Sequence, residues 1–364
     1  MSSSFQDPVI IGNLKTKIDK LAKELSDRKI RICHVCGTHE YTISHWGIRS
    51  LLPDNLELIA GPGCPVCICP TSDIEQSIWL ARNNYTLTTF GDMTRVPSDS
   101  GSLIKARAEG ADVRVVYSFL DSMKLAKKSP QQNFVFFSIG FETTAPIVAI
   151  ELIRERIPEN LFILNSHRLV PPAMNLLLEL PDIPLNGFIA PGHVSAITGY
   201  GLYEPISREN QIPIVVTGFE PADVMLSILA ILKQITQSRA ETENLYSRVV
   251  TRNGNTMALS AMDKAYRIID ANWRGIGEIP ASGYELKDKY GKFNIRLREK
   301  IPITGGSDTP KGCRCSEIIL GKIQPSECPL FNKKCTPENP VGACMVGSEG
   351  TCAIHSKFGG YLDL

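Results

Sequence analysis

Short apolar runs alternate with helix-like segments through the middle of this chain. Each run is rich in β-branched residues, ends in glycine or a small polar residue, and is followed by a loop and a helical pattern. Such near-continuous apolar runs are typical of strands in a parallel sheet that is covered on both faces. The pattern predicts eight strands, at residues 30–35, 56–60, 85–90, 113–117, 134–139, 161–165, 187–190 and 213–217.

These strands recur about every 26 residues, which is close to the length of one βα unit. Eight units could close a single barrel or form two open four-stranded sheets. We favour two sheets, because Gly140-Phe141-Glu142 and Gly218-Phe219-Glu220 repeat one local sequence, and because the lysine-rich segment 124–132 resembles a linker. The sequence therefore predicts an α/β protein with two similar open parallel-sheet domains, at residues 31–125 and 133–237.

The regular pattern ends near residue 237. Residues 244–271 resemble one or two helices, residues 273–290 are rich in glycine, and the rest of the chain has little periodicity. We expect a third, irregular helical domain at residues 238–364, held together by a metal cluster because it cannot bury much apolar surface. An amphipathic helix within residues 1–30 is expected to pack against it, through Leu14, Ile18, Leu21 and Leu25.

The most distinctive sequences of the chain follow predicted strands. Because ligands of open α/β sheets bind beyond the carboxyl ends of the strands, we expect these loops to line a site. They are Cys36-Gly37-Thr38-His39-Glu40, Gly61-Pro62-Gly63-Cys64-Pro65-Val66-Cys67, residues 91–97, Gly140-Phe141-Glu142 with residues 143–146, residues 165–168, and Pro191-Gly192-His193-Val194-Ser195.

Eleven cysteines fall into two groups, with none between Cys69 and Cys313. In a reducing compartment, clustered cysteines are metal ligands or redox-active thiols more often than structural disulfides. Cys64 and Cys67 form a CxxC at the start of a predicted helix, a spacing that can close a disulfide or share a metal. Cys36 lies beside His39, which suits a soft metal, although His39 could instead cap a helix. Cys33 is expected in the core, and Cys69 has no assigned role.

Six further cysteines crowd the end of the chain, at Cys313, Cys315, Cys328, Cys335, Cys344 and Cys352. Zinc sites usually contain two closely spaced cysteine pairs, and this spacing is wider. A four-cysteine [4Fe–4S] site with one additional thiol pair fits the count. Away from the cysteines, His167, His193, Glu142 and Glu220 could contact a ligand, or could form ordinary hydrogen bonds in loops and at helix starts.

Charge and composition exclude several classes of function. The chain has 39 basic and 38 acidic residues and no basic stripe, so we expect neither nucleic acid nor a membrane surface as a partner. No phosphate-binding glycine motif is present. The N-terminal residues lack the features of a secretion signal, and no apolar run could span a bilayer, so we expect a soluble cytoplasmic protein.

Taken together, these motifs resemble the HypD family of hydrogenase maturation proteins. They occur in the family's order over nearly the whole chain, and they include the tail sequence from Cys328 to Cys344. The resemblance implies a scaffold on which the Fe(CN)2CO unit of [NiFe]-hydrogenase is assembled, together with a HypC-type chaperone and a HypE-type cyanide donor. It also implies two α/β domains and a third domain with a [4Fe–4S] cluster.

The resemblance implies roles for individual residues. Cys36 would hold the iron beside His39, with Glu142 and His193 lining the site. By similarity to ferredoxin–thioredoxin reductase, the cluster would be bound by Cys313, Cys328, Cys335 and Cys352, leaving two dithiol pairs, Cys315 with Cys344 and Cys64 with Cys67. Two positions depart from the family: Tyr41 stands where a second histidine is usual, and Cys69 where the family usually has no cysteine.

Two other hypotheses remain open at this point. A stand-alone iron–sulfur dithiol–disulfide oxidoreductase would explain the thiols, but not the loops that carry Cys36, Glu142 and His193. A zinc-stabilised interaction protein would explain only the tail.

Overall fold

The computed structural model describes residues 5–302 and 306–359. Its strands are β1 Ile30–His34, β2 Leu56–Ala60, β3 Thr86–Thr89, β4 Val113–Val115, β5 Phe134–Gly140, β6 Leu161–His167, β7 Gly187–Pro191, β8 Ile214–Thr217, β9 Thr242–Asn244, β10 Tyr266–Trp273 and β11 Gly277–Leu286. Its α-helices are α1 Pro8–Glu24, α2 Gly37–His45, α3 Pro65–Ile68, α4 Thr71–Arg82, α5 Leu103–Ala108, α6 Phe119–Lys128, α7 Ala145–Ile153, α8 Val170–Leu178, α9 Gly192–Thr198, α10 Glu204–Asn210, α11 Pro221–Thr236, α12 Thr256–Ala265, α13 Ile295–Arg298, α14 Cys315–Ile319 and α15 Thr351–Phe358.

The chain forms two parallel sheets, as predicted, and all eight predicted strands are present. One sheet has the strand order β2-β1-β7-β8-β9, and the other has the order β4-β3-β5-β6. Every residue of β5 and β6 is buried, which is why these strands are almost continuously apolar. Apolar residues from both sheets and from the cysteine-rich tail belong to one hydrophobic cluster. The two sheets and the tail therefore share one hydrophobic core.

The predicted assignment of strands to sheets is wrong. β1 and β2 share a sheet with β7, β8 and β9, through the pairing of β1 with β7, while β3 to β6 form the second sheet. The first sheet therefore combines strands from the start of the 31–237 region with strands from its end and from just beyond it. The segment 124–132 is no linker between sheets, since β4 and β5 on either side belong to the same sheet. Its lysines lie at the end of α6, whose other face is buried through Phe119, Met123 and Ala126.

The N-terminal helix is present, but it packs elsewhere than predicted. The apolar face of α1, which includes Leu14 and Ile18, lies in a hydrophobic cluster with Ile228 and Leu232 of α11. α11 covers the first sheet, so α1 extends that layer and does not pack mainly against the tail. Both helices carry apolar residues at helical spacing. This pattern shows that each helix has a buried face, but it does not show which element packs against that face.

The region after residue 237 contains more strand than predicted. α12 falls within the predicted helical segment, but the chain becomes extended at Tyr266 and forms the antiparallel hairpin β10–β11. Trp273 is fully buried there, and its Nε1–H donates a 2.9 Å hydrogen bond to Ser282 Oγ. The part of the tail that is described consists of short helices and turns. Among the described residues, no helix has the length and apolar character needed to cross a bilayer.

Candidate metal and thiol site

Cys36 lies just beyond the carboxyl end of β1 and directly precedes α2. Because β1 and β2 are parallel neighbours, the loops that follow them meet, and the Gly37 N–H donates a 3.2 Å hydrogen bond to the Gly63 carbonyl. A Cβ atom on Gly63 would lie 2.3 Å from the Cys36 nitrogen. The loop of Cys36 and the CxxC loop therefore touch, and their contact depends on a glycine at position 63.

The Cys36 thiol is buried, with 8% of the residue exposed. Burial raises the pKa of this thiol to about 11, and the negative charge of Glu349 adds to the increase, against hydrogen bonds from the backbone of His39 and Thr38. At neutral pH the thiol is therefore protonated, and a metal that binds here would replace the proton.

Glu349 brings the cysteine-rich tail to this thiol. Its main chain packs against Gly37, where a Cβ atom would lie only 2.4 Å from the Glu349 Cβ. Its Oε1 accepts a 3.1 Å hydrogen bond from Thr38 Oγ1. The sequence did not reveal Glu349, because a single glutamate in an irregular tail carries no pattern that points to a loop more than three hundred residues away.

His39 and His193, both predicted site residues, each contact the ring of Phe219. The ring of His193 stacks on Phe219 with centroids 4.0 Å apart, and the ring of His39 lies 4.8 Å from it. His39 Nε2 is 2.9 Å from the Gly218 carbonyl. Loops after β1, β7 and β8 thus meet at one place. Phe219 belongs to the repeated Gly-Phe-Glu sequence, although its contact with two histidines was not predicted.

The protonation state of His39 follows from its surroundings. Burial lowers the pKa of His39 to about 3, and the nearby His34 and His193 contribute in the same direction. The ring is neutral at pH 7, and Nε2 must carry the proton because the Gly218 carbonyl can only accept. Nδ1 then bears a free lone pair, and it has no hydrogen-bond partner among the described residues. The low pKa disfavours protonation of Nδ1, so the free lone pair of His39 suits a soft metal better than a proton.

Glu142 is a second buried group with an unsatisfied atom. It follows β5 in the second sheet, and its Oε1 accepts a 3.1 Å hydrogen bond from the Val170 N–H. Within the described part of the chain, Oε2 has no partner. Burial raises the pKa of Glu142 to about 7, so at neutral pH a large fraction of this carboxyl group carries a proton. Glu142 can both donate and accept a hydrogen bond in the interior.

Tyr203 is a buried residue near both Glu142 and Cys36. Burial raises the pKa of Tyr203, and the charges of Glu142 and Cys36 both add to the increase, so its hydroxyl lies within electrostatic reach of both. That hydroxyl is 3.3 Å from Ser195 Oγ, in the predicted loop after β7. The predicted residues Cys36 and Glu142 therefore both lie near the buried Tyr203, which the sequence did not reveal. His39 is buried against Phe219, whereas His193, on the same ring, is exposed.

Cys64 and Cys67 form a disulfide at the start of α3. On one side the pair is joined through Gly63 to Cys36. On the other side α3 packs against a 3-10 turn at Ala343–Met345, which contains Cys344. The CxxC thus lies between Cys36 and the tail thiols.

All six tail cysteines line one small cavity, whose remaining walls include the apolar side chains of Ile318, Leu330, Phe331 and Met345. The sulfurs of Cys315 and Cys344 are 2.7 Å apart. Among residues 5–302 and 306–359, no group of three or more His, Cys, Asp or Glu side chains is arranged to hold a single metal ion. Six thiols around an enclosed apolar space do supply the donors of a [4Fe–4S] cluster, which needs four. The residues therefore fit the implied cluster.

Two other cysteines are buried but do not line the cavity of the tail thiols. Cys33 is 1% exposed within β1, in the hydrophobic core as predicted. Cys69 is equally buried, but its sulfur lies 3.6 Å from Ser166 Oγ of the second sheet. Tyr41, at the position that is usually histidine in the family, is 38% exposed and packs edge-to-face against Phe358.

A buried charge network supports α2. Glu40 Oε1 accepts hydrogen bonds of 2.8 Å from Arg49 Nη1 and from Ser44 Oγ, and it lies 2.8 Å from His355 Nε2 of α15. Glu40 Oε2 lies 2.6 Å from Arg49 Nη2 and 2.8 Å from His34 Nε2. Because α15 also carries Cys352, this network fixes the tail to the helix that follows Cys36.

The fold and the site define an α/β protein whose buried thiols, from the first sheet and from a cysteine-rich tail, are collected at the carboxyl ends of parallel strands. The HypD family model, described as "Hydrogenase formation hypA family", matches residues 10–359. A putative hydrogenase expression/formation protein of Methanocaldococcus jannaschii is 45% identical over 98% of this chain and 99% of its own length. The hydrogenase maturation factor HypD of Cupriavidus necator is 42% identical over 90% of this chain and 89% of its own. The hydrogenase maturation factor HypD of Rhodobacter capsulatus is 39% identical over 99% of this chain and 98% of its own length.

This chain therefore belongs to the HypD family of hydrogenase maturation factors. The predicted resemblance is confirmed, and the general role of the protein is hydrogenase maturation.

Proposed function

We propose that this protein is a scaffold on which the Fe(CN)2CO unit of [NiFe]-hydrogenase is assembled, with iron as its cargo at Cys36. The observation that carries the proposal is the buried Cys36 thiol beside His39, whose Nδ1 lone pair is free. A thiolate and an imidazole nitrogen suit low-spin iron(II), which cyanide and carbon monoxide also favour. A HypC-type chaperone would supply a second thiolate, and a HypE-type protein would supply cyanide.

The surroundings of Cys36 suit ligands that must be protected from water. His39, Glu142 and Tyr203 are each no more than 1% exposed, so the polar groups near the thiol are held inside the protein. In such an interior, hydrogen bonds to a bound anion are stronger than in water. Glu142, which can be protonated near neutral pH, and the Tyr203 hydroxyl are the donors that we propose for a cyanide nitrogen.

We further propose that a [4Fe–4S] cluster is bound by Cys313, Cys328, Cys335 and Cys352. When bound, it would supply single electrons. The remaining thiols, Cys315 and Cys344, would pass reducing equivalents to Cys64 and Cys67 by thiol–disulfide exchange. Packing of the turn with Cys344 against α3 supports this order, as does the contact of Gly63 with Cys36.

The ligand assignment predicts opposite results for two cysteines that line the same cavity. Cys335→Ala is expected to lose most of the cluster iron, because a cubane with three protein thiolates is held weakly. Cys344→Ala, the matched control, is expected to keep it. Both variants would be purified anaerobically, and iron content and absorbance near 400 nm measured. Full iron content in Cys335→Ala would refute this ligand set.

A second candidate function is a stand-alone dithiol–disulfide oxidoreductase, favoured by the Cys64–Cys67 disulfide beside the Cys315 and Cys344 thiols. It gives no role to the buried groups around Cys36.

Infrared spectroscopy separates the two functions. The protein would be purified anaerobically together with the HypC-type chaperone, from cells that contain the HypE-type protein. The scaffold proposal expects bands of iron-bound cyanide and carbon monoxide in the complex. A complex that contains iron but lacks these bands under all maturation conditions would refute the proposal and favour the oxidoreductase.

A further inference from the structure

An open pocket of about 770 Å³ lies beside the cavity of the tail thiols, and the two spaces share a wall. Met345 lines both of them. Cys335 lines the thiol cavity, while its neighbour Thr336 lines the pocket. Cys352 and Ala353 are divided in the same way. Because consecutive Cα atoms are about 3.8 Å apart, the pocket lies close to two of the proposed cluster ligands.

The loop that follows β3 of the second sheet forms another part of the pocket wall. Arg95 in this loop donates a hydrogen bond to the carbonyl of Pro337 in the tail. Asp92 Oδ2 accepts a 3.0 Å hydrogen bond from the Ser348 N–H, also in the tail. These contacts join the second sheet to the tail at the pocket, so its walls come from two parts of the fold.

The rim of this pocket is basic. Arg95 and the exposed Lys357 line it, and the exposed Lys333 and Lys334 follow directly on a lining residue, Asn332. Among the described residues, two carboxylates line the pocket against these four cations. A surface with an excess of positive charge attracts an acidic partner and speeds its association.

Aromatic side chains lie within the basic rim. Tyr41, which is 38% exposed, and Phe358 both line the pocket and pack edge-to-face with ring centroids 5.1 Å apart. Lys357 Nζ lies 4.9 Å from the centroid of the Phe358 ring. Aromatic residues at the centre of a patch, surrounded by polar and charged groups, are typical of protein interfaces. The pocket therefore suits a protein partner with an acidic surface.

We propose that this pocket and its basic rim bind a small acidic electron-carrier protein that reduces the cluster, an inference that rests on the cluster proposed above. The reduced carrier loses one electron, which goes to the cluster, and no bond or proton changes place in this step. Reduction of the Cys64–Cys67 disulfide takes two electrons and two protons, so two carrier molecules must dock in turn for each disulfide that is reduced. The thin wall at Met345 is what makes this surface suitable for electron transfer.

The test uses the full-length protein with its cluster, kept anaerobic, and an acidic plant-type [2Fe–2S] ferredoxin, which has a low reduction potential. Calorimetry measures the binding of oxidised ferredoxin, and stopped-flow absorbance follows the re-oxidation of reduced ferredoxin. In Lys333→Glu and in Lys357→Glu, the second-order rate constant is expected to fall about tenfold or more at low ionic strength, with weaker binding. The difference should largely disappear in about 1 M salt, which screens charges beyond about 3 Å.

Two controls accompany these variants. Lys311→Glu changes an exposed lysine near Cys313, the one tail cysteine that is partly exposed, and its rate is expected to stay within about threefold of the wild type. A reduced deazaflavin, a small neutral reductant, should reduce the cluster equally fast in all variants, since it needs no docking surface. Iron content is measured in each protein, and Lys357→Glu decides the outcome if Lys333→Glu loses its cluster.

The outcomes separate the docking surface from the cluster. A wild-type protein without cluster iron would overturn both proposals. A cluster that deazaflavin reduces but ferredoxin does not would overturn the docking surface alone. A rate that falls in Lys311→Glu but not in Lys357→Glu would place docking at the edge near Cys313 and overturn this surface. Unchanged electron transfer in Lys357→Glu, with weaker binding of the HypC-type chaperone, would assign the pocket to the chaperone and also overturn the proposal.

Discussion

Replacing Cys36 by alanine is expected to abolish the infrared bands of iron-bound cyanide and carbon monoxide in the complex with the HypC-type chaperone. Alanine removes the one thiolate with which the scaffold would hold the iron, and the free Nδ1 atom of His39 cannot replace a negatively charged sulfur ligand. The tail cavity is built by other residues, so the iron of the cluster should remain. The measurement is infrared spectroscopy of the purified complex, together with iron analysis.

Cys33→Ala is the matched control for this variant. Cys33 lies three residues earlier, in β1, and is buried in the hydrophobic core. Its replacement should lower the free energy of unfolding by about 1–2 kcal/mol through the loss of packing, yet leave the infrared bands unchanged. Bands at wild-type intensity in Cys36→Ala would rule out Cys36 as the iron ligand.

The strands could be predicted because their signal is local. A β-branched apolar run such as that of β5, followed by glycine, is determined by burial on both faces of a sheet and needs no knowledge of the partner strand. The partner strands themselves could not be predicted in this way. β1 pairs with β7, more than 150 residues later, and neither strand carries a sequence feature that selects the other. The lysines near the end of α6 were misleading, because an exposed helix face and a linker have the same composition.

The site was predictable only where its residues form motifs. Cys36, His39 and His193 follow strands of the first sheet, and the carboxyl ends of parallel strands in one sheet share an edge, so their proximity could be expected. Glu142 follows a strand of the second sheet, and the local sequence does not show how two sheets pack. Glu349 and Tyr203 reach the surroundings of Cys36 from irregular or distant segments. Each is a common residue type in an ordinary local sequence, and only tertiary packing gives it a partner.

Replacing Glu40 by glutamine is expected to lower the free energy of unfolding by about 3–5 kcal/mol. Glu40 is 1% exposed, and its two oxygens face Arg49, His34 and His355. Desolvation would raise the pKa of this carboxyl, but the charge of Arg49 and hydrogen bonds from the two histidines hold it well below the usual value, so the group is an anion in the folded protein. Glutamine is nearly isosteric but neutral, and it leaves the buried guanidinium of Arg49 without this counter-charge.

Glu57→Gln is the control for burial, since Glu57 pairs with Lys29 and Arg31 near the surface of the same sheet. It should cost less than about 1 kcal/mol, because water and ions screen such pairs. Urea unfolding, followed by circular dichroism, would compare the midpoints of both variants with the wild type. Equal, small shifts would show that the Glu40 network contributes no more than a surface pair. A large shift confined to Glu40→Gln would show that this one buried carboxylate, which joins α2 to His355 of α15, contributes far more to folding than a surface pair does.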